Sequence, residues 1–374
     1  SDRPAEVTDA FTSLQIVREV LAHGTTRASI VTDRGLQVDL RVVEPLQWGA
    51  ALQYFTGSKA HNIKLREIAQ RRGLKINEYG IFKLETDERL GGAEEEDIYR
   101  ALGMAIPPPE LREDRGEIEA ALAGTLPRLV TLEDLQGDLH AHSTWSDGNA
   151  SIEQMARAAQ AAGLRYVALT DHSQGLGIAR GLSPERVLAR LEELRAVQQR
   201  LPGMRILNGT EVDIRADGSL DYDDAVLASF DWVVASVHSG FNQTREQMTQ
   251  RIIAAMRNPY VDAIGHPSGR IIGRRESYEV DIEAIVAVAV ETGTALEIDS
   301  SPDRLDLSDI HARLARDRGA KIVVNTDAHS PANFSFLRYG VATARRAWLG
   351  PEHVLNTLPV DVLLAQRKCR KARV

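Results

Sequence analysis

At 374 residues the chain is longer than the roughly 250–300 residues that a single core usually reaches, so two or more domains are expected. A hydrophobic share of 43% and a charged share of 26% fit a soluble globular protein, and no apolar run approaches the ~20 residues of a membrane span. The net charge of −8 gives no global field for nucleic acid, and the single cysteine, Cys369 in a basic tail, excludes disulfides and thiolate metal sites.

The chain opens on polar Ser1-Asp2-Arg3-Pro4 with no visible signal peptide, and a cytoplasmic setting is the default expectation. Residues 8–22, with Val17, Val20 and Leu21, read as a helix. Residues 26–32 and 36–43 read as a β-hairpin around Asp33-Arg34-Gly35. The second strand puts Asp39 and Arg41 on one face, a pattern that alternation alone assigns to solvent. Next come Tyr54-Phe55-Thr56-Gly57-Ser58-Lys59-Ala60-His61-Asn62 and Gly73-Leu74-Lys75-Ile76-Asn77-Glu78-Tyr79-Gly80, which resemble family X DNA polymerases. By that resemblance Asp39 matches the third metal-binding carboxylate of the palm, and Tyr54, Phe55 and Asn62 match residues that face the incoming nucleotide. Lys64, Arg66, Arg71, Arg72 and Lys75 could contact phosphates or form a solvated helix face. Residues 94–104 and Ile106-Pro107-Pro108-Pro109-Glu110-Leu111-Arg112 resemble the end of the thumb.

The family's palm also carries an earlier Gly-Asp-x-Asp pair, and none precedes Asp39; fingers and helix-hairpin-helix segments are missing as well. Two-metal phosphoryl transfer needs carboxylates for both ions, which one aspartate cannot supply. Residues 1–105 are therefore expected to be a partial palm and thumb, truncated or one piece of a longer chain, without polymerase activity. Residues 106–133 read as a linker, with Pro107-Pro108-Pro109 stiff and extended and a short charged helix over 114–122.

Residues 134–374 carry the densest chemistry. In Gly137-Asp138-Leu139-His140-Ala141-His142-Ser143-Thr144-Trp145-Ser146-Asp147-Gly148, two histidines two apart share one side of a strand, and Asp147 follows in a turn. Apolar runs then end in Asp171-His172, Glu211, His238, His266, Asp299 and Asp327-Ala328-His329, separated by helical patterns. Six of the ten histidines sit at strand ends. Parallel strands of a β/α repeat put their carboxyl ends on one face, so these side chains converge on one mouth. Capping signals at Ser151-Ile152-Glu153-Gln154, Ser183-Pro184 and Ser308-Asp309, with Gly163 and Gly319 closing helices, support packed helices between the strands.

His140-x-His142, Thr170-Asp171-His172, Ser236-Val237-His238 with Gly265-His266-Pro267, and Asp327-Ala328-His329 resemble the motifs of the PHP (polymerase and histidinol phosphatase) domain. With the partial palm and thumb, the resemblance to bacterial PHP-containing family X polymerases covers nearly the whole chain. It implies a distorted seven-stranded β/α, TIM-like barrel behind a small α+β segment. It also implies a trinuclear centre: His140, His142, Glu211 and Asp327 on the first ion; Glu211, His238 and His266 on the second; Asp147, His172 and His329 on the third. Mixed imidazole and carboxylate ligands suit two or three zinc or manganese ions, with magnesium also possible.

Arg270, Arg274 and Arg275 follow His266 and could clamp a phosphate or line a surface loop, with Arg270 the candidate beside Glu211 for catalysis. Asn325 and Asp299 fit roles behind the ligands. The acidic stretch Asp213, Asp217, Asp221, Asp223, Asp224 reads as a solvated turn. The implied reaction is metal-dependent phosphoester hydrolysis at DNA 3′ ends and gaps, as 3′→5′ exonuclease or 3′-end processing in repair. The rival readings are a small-molecule phosphatase of the histidinol-phosphate type and a non-catalytic scaffold. Amidohydrolase barrels usually carry a ligand lysine, and none lies between Leu135 and Lys321.

Overall fold

The computed structural model describes residues 1–368, so the lone Cys369 lies outside the described residues. Contacts divide the chain into two units, Ser1–Leu126 and Pro127–Val374. In the first, helix α1 (Pro4–Thr12) precedes an antiparallel sheet of β1 (Val17–His23), β2 (Arg27–Thr32) and β3 (Gln37–Arg41). The hairpin around Gly35 is as expected, but the helix over residues 8–22 is not: it stops at Thr12, and Val17, Val20 and Leu21 lie on a strand. The hydroxyls of Thr12 and Ser13 turn back on the carbonyls of Thr8 and Asp9, competing with further helical turns. The β-branched Val17 and Val20 then pair with Thr32 and Ile30.

The rest of this unit holds α2 (Trp48–Thr56), α3 (Lys59–Arg71), the antiparallel strands β4 (Leu74–Asn77), β5 (Gly80–Lys83) and β6 (Arg89–Gly91), α4 (Glu95–Ala101) and α5 (Glu117–Ala123). Ile118 and Ala121 of α5 are buried with Leu65, Ile98, Tyr99 and Leu102. The segment read as a linker over 106–133 thus packs into the first unit as far as Leu126. A buried polar contact seals it. His61 is fully buried, with Nδ1 2.6 Å from Glu117 Oε1 and Nε2 3.0 Å from the Tyr99 hydroxyl.

The second unit alternates strand and helix: β7 (Gly137–Ala141), α6 (Ile152–Ala161), β8 (Tyr166–Leu169), α7 (Pro184–Arg200), β9 (Arg205–Asp213), α8 (Asp224–Leu227) and β10 (Trp232–Ser236). It continues with α9 (Arg245–Arg257), β11 (Ala263–Ile264), α10 (Ile282–Thr292), β12 (Ala295–Asp299), α11 (Asp309–Arg318), β13 (Ile322–Asn325), α12 (Leu337–Arg346) and α13 (Val360–Ala365). The seven strands pair in chain order, all parallel. The ring nearly closes where Ala141 bridges Ala328 and the His142 N–H donates to the Ala328 carbonyl at 2.8 Å. Buried Asp138 reinforces that seam by accepting from the Thr326 hydroxyl at 2.6 Å.

One or two apolar residues from each strand (Leu139; Tyr166 and Ala168; Leu207; Trp232 and Val234; Ala263; Ala295; Val323) fill the ring's interior, and a larger apolar layer packs the helices outside. The hydroxyls of Ser151, Ser183 and Ser308 cap α6, α7 and α11 as the sequence predicts. Among the described residues no helix is long and apolar enough to cross a membrane.

Candidate metal centre

Every strand end of the barrel except that of β12 delivers a candidate ligand to one mouth, and β12 sends Glu297 beneath it. Pairing of β7 with β8 slips between Asp138 and Ala141, an irregularity of the kind that re-aims side chains. It leaves the rings of His140 and His142 5.3 Å apart. His266 and Asp327 take positive φ, +29° and +50°, an uncommon backbone state that concentrates at functional sites. Gly265 is required by its neighbours: a Cβ there would stand 2.4 Å from the Ser236 hydroxyl and 2.8 Å from Val234, with the His140 ring 3.3 Å away.

Glu211 is the hub. Its Oε2 lies 3.3 Å from His140 Nε2, 3.5 Å from His142 Nε2 and 3.0 Å from His172 Nδ1. Its Oε1 lies 3.1 Å from both His238 Nε2 and His266 Nε2. Asp327 Oδ1 stands 3.0 Å from His142 Nε2 and 3.5 Å from His140 Nε2. Asp147 Oδ2 is 3.4 Å from His172 Nε2 and 3.3 Å from His329 Nε2. Donor atoms gather into three groups: His140, His142, Glu211 and Asp327; His172, Glu211 and His238; and His142, Asp147, His172 and His329. His172 offers one ring nitrogen to each of the last two, while His266 reaches Glu211 beside His238.

The residues fit a cation. His140 Nε2, both nitrogens of His142, His172 Nδ1, His266 Nδ1 and Asp327 Oδ1 are buried without a hydrogen-bond partner. Leaving such groups unpaired is costly, and a shared cation would satisfy several at once. The charges lean the same way. Burial opposes a charged His172, but Glu211 and Asp147 outweigh it and raise its pKa to about 10. Burial, with the rings of His329 and His172, pushes His142 down to about 4.

A second layer braces the candidate ligands. Glu297 Oε1 is 2.8 Å from His140 Nδ1 and accepts from Asn325 Nδ2 at 2.8 Å; its Oε2 accepts the His266 backbone N–H at 2.8 Å. That contact leaves His140 Nε2 facing the cluster. Asp213 Oδ1 lies 3.2 Å from His238 Nδ1, so the acidic stretch is not merely a solvated turn. Asp221, also read as solvated, is buried and accepts from Gly175 and Arg215. Asn325 donates to Glu297 at 2.8 Å, and Asp299 pairs with Arg304 at 3.2 Å. Sequence reasoning missed Glu297 and Arg304. The signal for Glu297 was an acid inside the apolar run Ala295-Leu296-Glu297-Ile298; nothing comparable marked Arg304.

The arginines need correcting. Arg270 spends its guanidinium on the carbonyls of Arg304 and Leu305, and Arg275 spends its own on Gly269 O while lying 4.2 Å from the Phe241 ring centre. Arg274 is exposed. The mouth, a cavity of about 350 Å³, is instead reached by Arg304, whose Nε lies 3.9 Å from Asp327 Oδ2.

In the first unit, Asn62 accepts from Gln53 and donates to the Tyr54 carbonyl, and the Tyr54 and Phe55 rings meet edge to face at 5.1 Å. Asp39 accepts from Ser29 and joins no ligand group among the described residues. Lys64 is engaged by Asp114 and Glu119 at 2.7 Å each, which raises its pKa to about 12.

A ring of parallel strands with a histidine and carboxylate cluster at its carboxyl end is the architecture of a PHP domain, and the PHP family profile matches residues 138–301. The DNA polymerase beta thumb profile matches residues 51–113. The chain is 43% identical over 358 residues to the DNA polymerase/3′-5′ exonuclease PolX of Bacillus subtilis (strain 168), covering 95% of this chain and 62% of that protein. It is 33% identical over 233 residues to a probable phosphatase of Thermoanaerobacter sp. (strain X514), covering 59% of this chain and 89% of that protein. Histidinol phosphate phosphatase from Lactococcus lactis superposes with a TM-score of 0.42 at 17% identity, over 56% of this chain and 93% of that one. The chain carries a PHP domain joined to a DNA polymerase beta thumb region, and it spans about three fifths (62%) of the length of the PolX relative.

Proposed function

We propose that the barrel is a metal-dependent phosphoesterase acting on DNA 3′ ends, as a 3′→5′ exonuclease or 3′-end processing enzyme in repair. The observation that carries this reading is Glu211, which turns one oxygen to His140, His142 and His172 and the other to His238 and His266. His140, His142, Glu211 and Asp327 would hold one ion, Glu211, His238 and His266 a second, and Asp147, His172 and His329 a third. The donor set suits zinc or manganese better than magnesium, which prefers oxygen ligands. Bound there, the ions would supply Lewis-acid activation of a phosphoester and a water of lowered pKa.

The chain's own residues complete the site. Glu297 and Asp213 fix the rings of His140 and His238, and Arg304 offers a guanidinium to the phosphoryl oxygens. DNA as substrate is supported by the thumb match and by the name of the Bacillus relative.

The similarity to probable phosphatases keeps a small-molecule phosphatase as the second reading. The test is release of nucleotide or phosphate from 3′-labelled oligonucleotides in Mn²⁺, with wild type beside Glu211→Ala and His329→Ala. Glu211→Ala should lose several orders of magnitude, and His329→Ala less. Wild-type rates in Glu211→Ala would refute the metal mechanism. Inertness toward DNA with cleavage of small phosphomonoesters would install the second reading.

A further inference from the structure

Leu176, Ile178 and Ala179 share the mouth cavity with the ligands and Arg304. Ile178 is 95% exposed, the barest of the large apolar side chains among the described residues. A lone exposed isoleucine on an ordinary surface calls for no explanation. This one stands on a short helical turn, Gly177–Ala179, at the tip of a loop whose feet are tied to the site. Ser173 N–H donates to the Glu211 carbonyl at 3.0 Å, and Leu182 N–H donates to the His172 carbonyl at 2.9 Å.

The loop is also braced along its length. Arg186 donates to the carbonyls of Arg180 and Gly181 at 2.7 and 3.1 Å. The return strand passes so close to Ser173 that a Cβ on Gly181 would lie 1.8 Å from its carbonyl oxygen. A braced loop therefore presents bare aliphatic surface at a mouth otherwise built of charged and imidazole groups.

We infer that Ile178, flanked by Leu176, is a platform for the base of the nucleotide whose phosphoester is cut, so that the site takes nucleotides with an unpaired base rather than bare phosphoesters. The inference rests on the reading of this mouth as a phosphoesterase acting on DNA ends. Among the phosphoesters at a DNA end, the unit that joins a phosphate to a flat face is the nucleotide with its base. Every base has such a face, so an aliphatic platform adds affinity without reading sequence. A base reaches the platform only when it has left its stack, which favours frayed or single-stranded 3′ ends.

The experiment uses the full chain in Mn²⁺ and two single-stranded oligonucleotides, one ending in an ordinary nucleotide and one in an abasic tetrahydrofuran residue. Wild type, Ile178→Ala and Ile178→Asp are compared for kcat and KM, with bound manganese measured for each. Both variants should lose about tenfold in kcat/KM on the base-bearing end, about 1.4 kcal/mol, chiefly through KM. They should match wild type on the abasic end and bind manganese normally, and the variants' loss should be alike whichever of the four bases is terminal. Equal losses on both ends, or no loss on either, would overturn the platform. Wild type inert on both oligonucleotides but active on small phosphomonoesters would overturn the reading beneath it, and the platform with it.

Discussion

Glu297 is the residue on which the centre's preorganisation can be measured without touching a ligand. It is fully buried on β12 and serves three partners: His140 Nδ1 and Asn325 Nδ2 on one oxygen, and the His266 backbone N–H on the other. Burial works against its carboxylate, but His140 outweighs burial and keeps its pKa below the usual value. In Glu297→Gln one oxygen becomes an NH₂, which cannot accept a hydrogen bond. Either the His266 N–H or the His140–Asn325 pair then faces a donor. Removing such partners of a ligating histidine typically costs 10–100-fold in metal affinity or activity. Glu297→Gln should therefore weaken Mn²⁺ or Zn²⁺ binding by roughly 10–100-fold. Glu297→Ala, which strands all three partners, should also destabilise the metal-free barrel by roughly 3–5 kcal/mol. Isothermal titration of the metal-stripped protein reads the first effect, and denaturant unfolding reads the second. Wild-type metal affinity in Glu297→Gln, with the fold intact by circular dichroism, would refute the claim that Glu297 orients His140.

Arg304→Ala should lower kcat/KM on oligonucleotides by roughly 10²-fold, and Arg304→Lys should recover little, because a lysine lacks the planar two-pronged donor; steady-state kinetics with unchanged metal content checks this. Asp171 accepts from Ser143 N–H at 2.8 Å, Ser146 Oγ at 2.9 Å and Arg190 Nη1 at 2.9 Å in a fully buried network, so Asp171→Ala should cost roughly 3–5 kcal/mol, on the order of 10 °C in Tm by calorimetry. In the first unit, burial opposes the Glu117 carboxylate, but hydrogen bonds from His61 and from the N–H groups of Arg115 and Asp114 prevail and hold its pKa below the usual 4.5. The folded state thus favours the ionised form: this stability is complete above about pH 4.5 and is lost as pH falls through the lowered value. Glu117→Gln should cost roughly 2–3 kcal/mol at pH 7 and flatten the acid limb of a pH–stability curve, and an unaltered limb would count against the assignment.

The barrel was legible because two periodicities agreed, apolar runs of strand length and capped helices between them, and because six histidines fell where the runs stop. Parallel order then brings them together without any knowledge of register. The first unit was harder. Val17, Val20 and Leu21 satisfy a helical spacing as well as a strand, and what decides is pairing with Thr32 and Ile30, a contact between segments that local pattern does not contain. The arginines show the same limit at the site. Arg270 is four residues from His266 and Arg304 is thirty-eight, so proximity in sequence favours Arg270 as the group that meets a phosphate. Folding reverses the choice. The chain after β12 doubles back over the mouth, Arg270 is consumed in pinning the carbonyls of Arg304 and Leu305, and Arg304 is carried to Asp299 and Asp327. The nearer arginine thereby acts by placing the farther one. Ligands at strand ends are fixed by a repeat that sequence displays, whereas the cation beside them is fixed by one loop lying on another, and that relation exists only once the chain has folded.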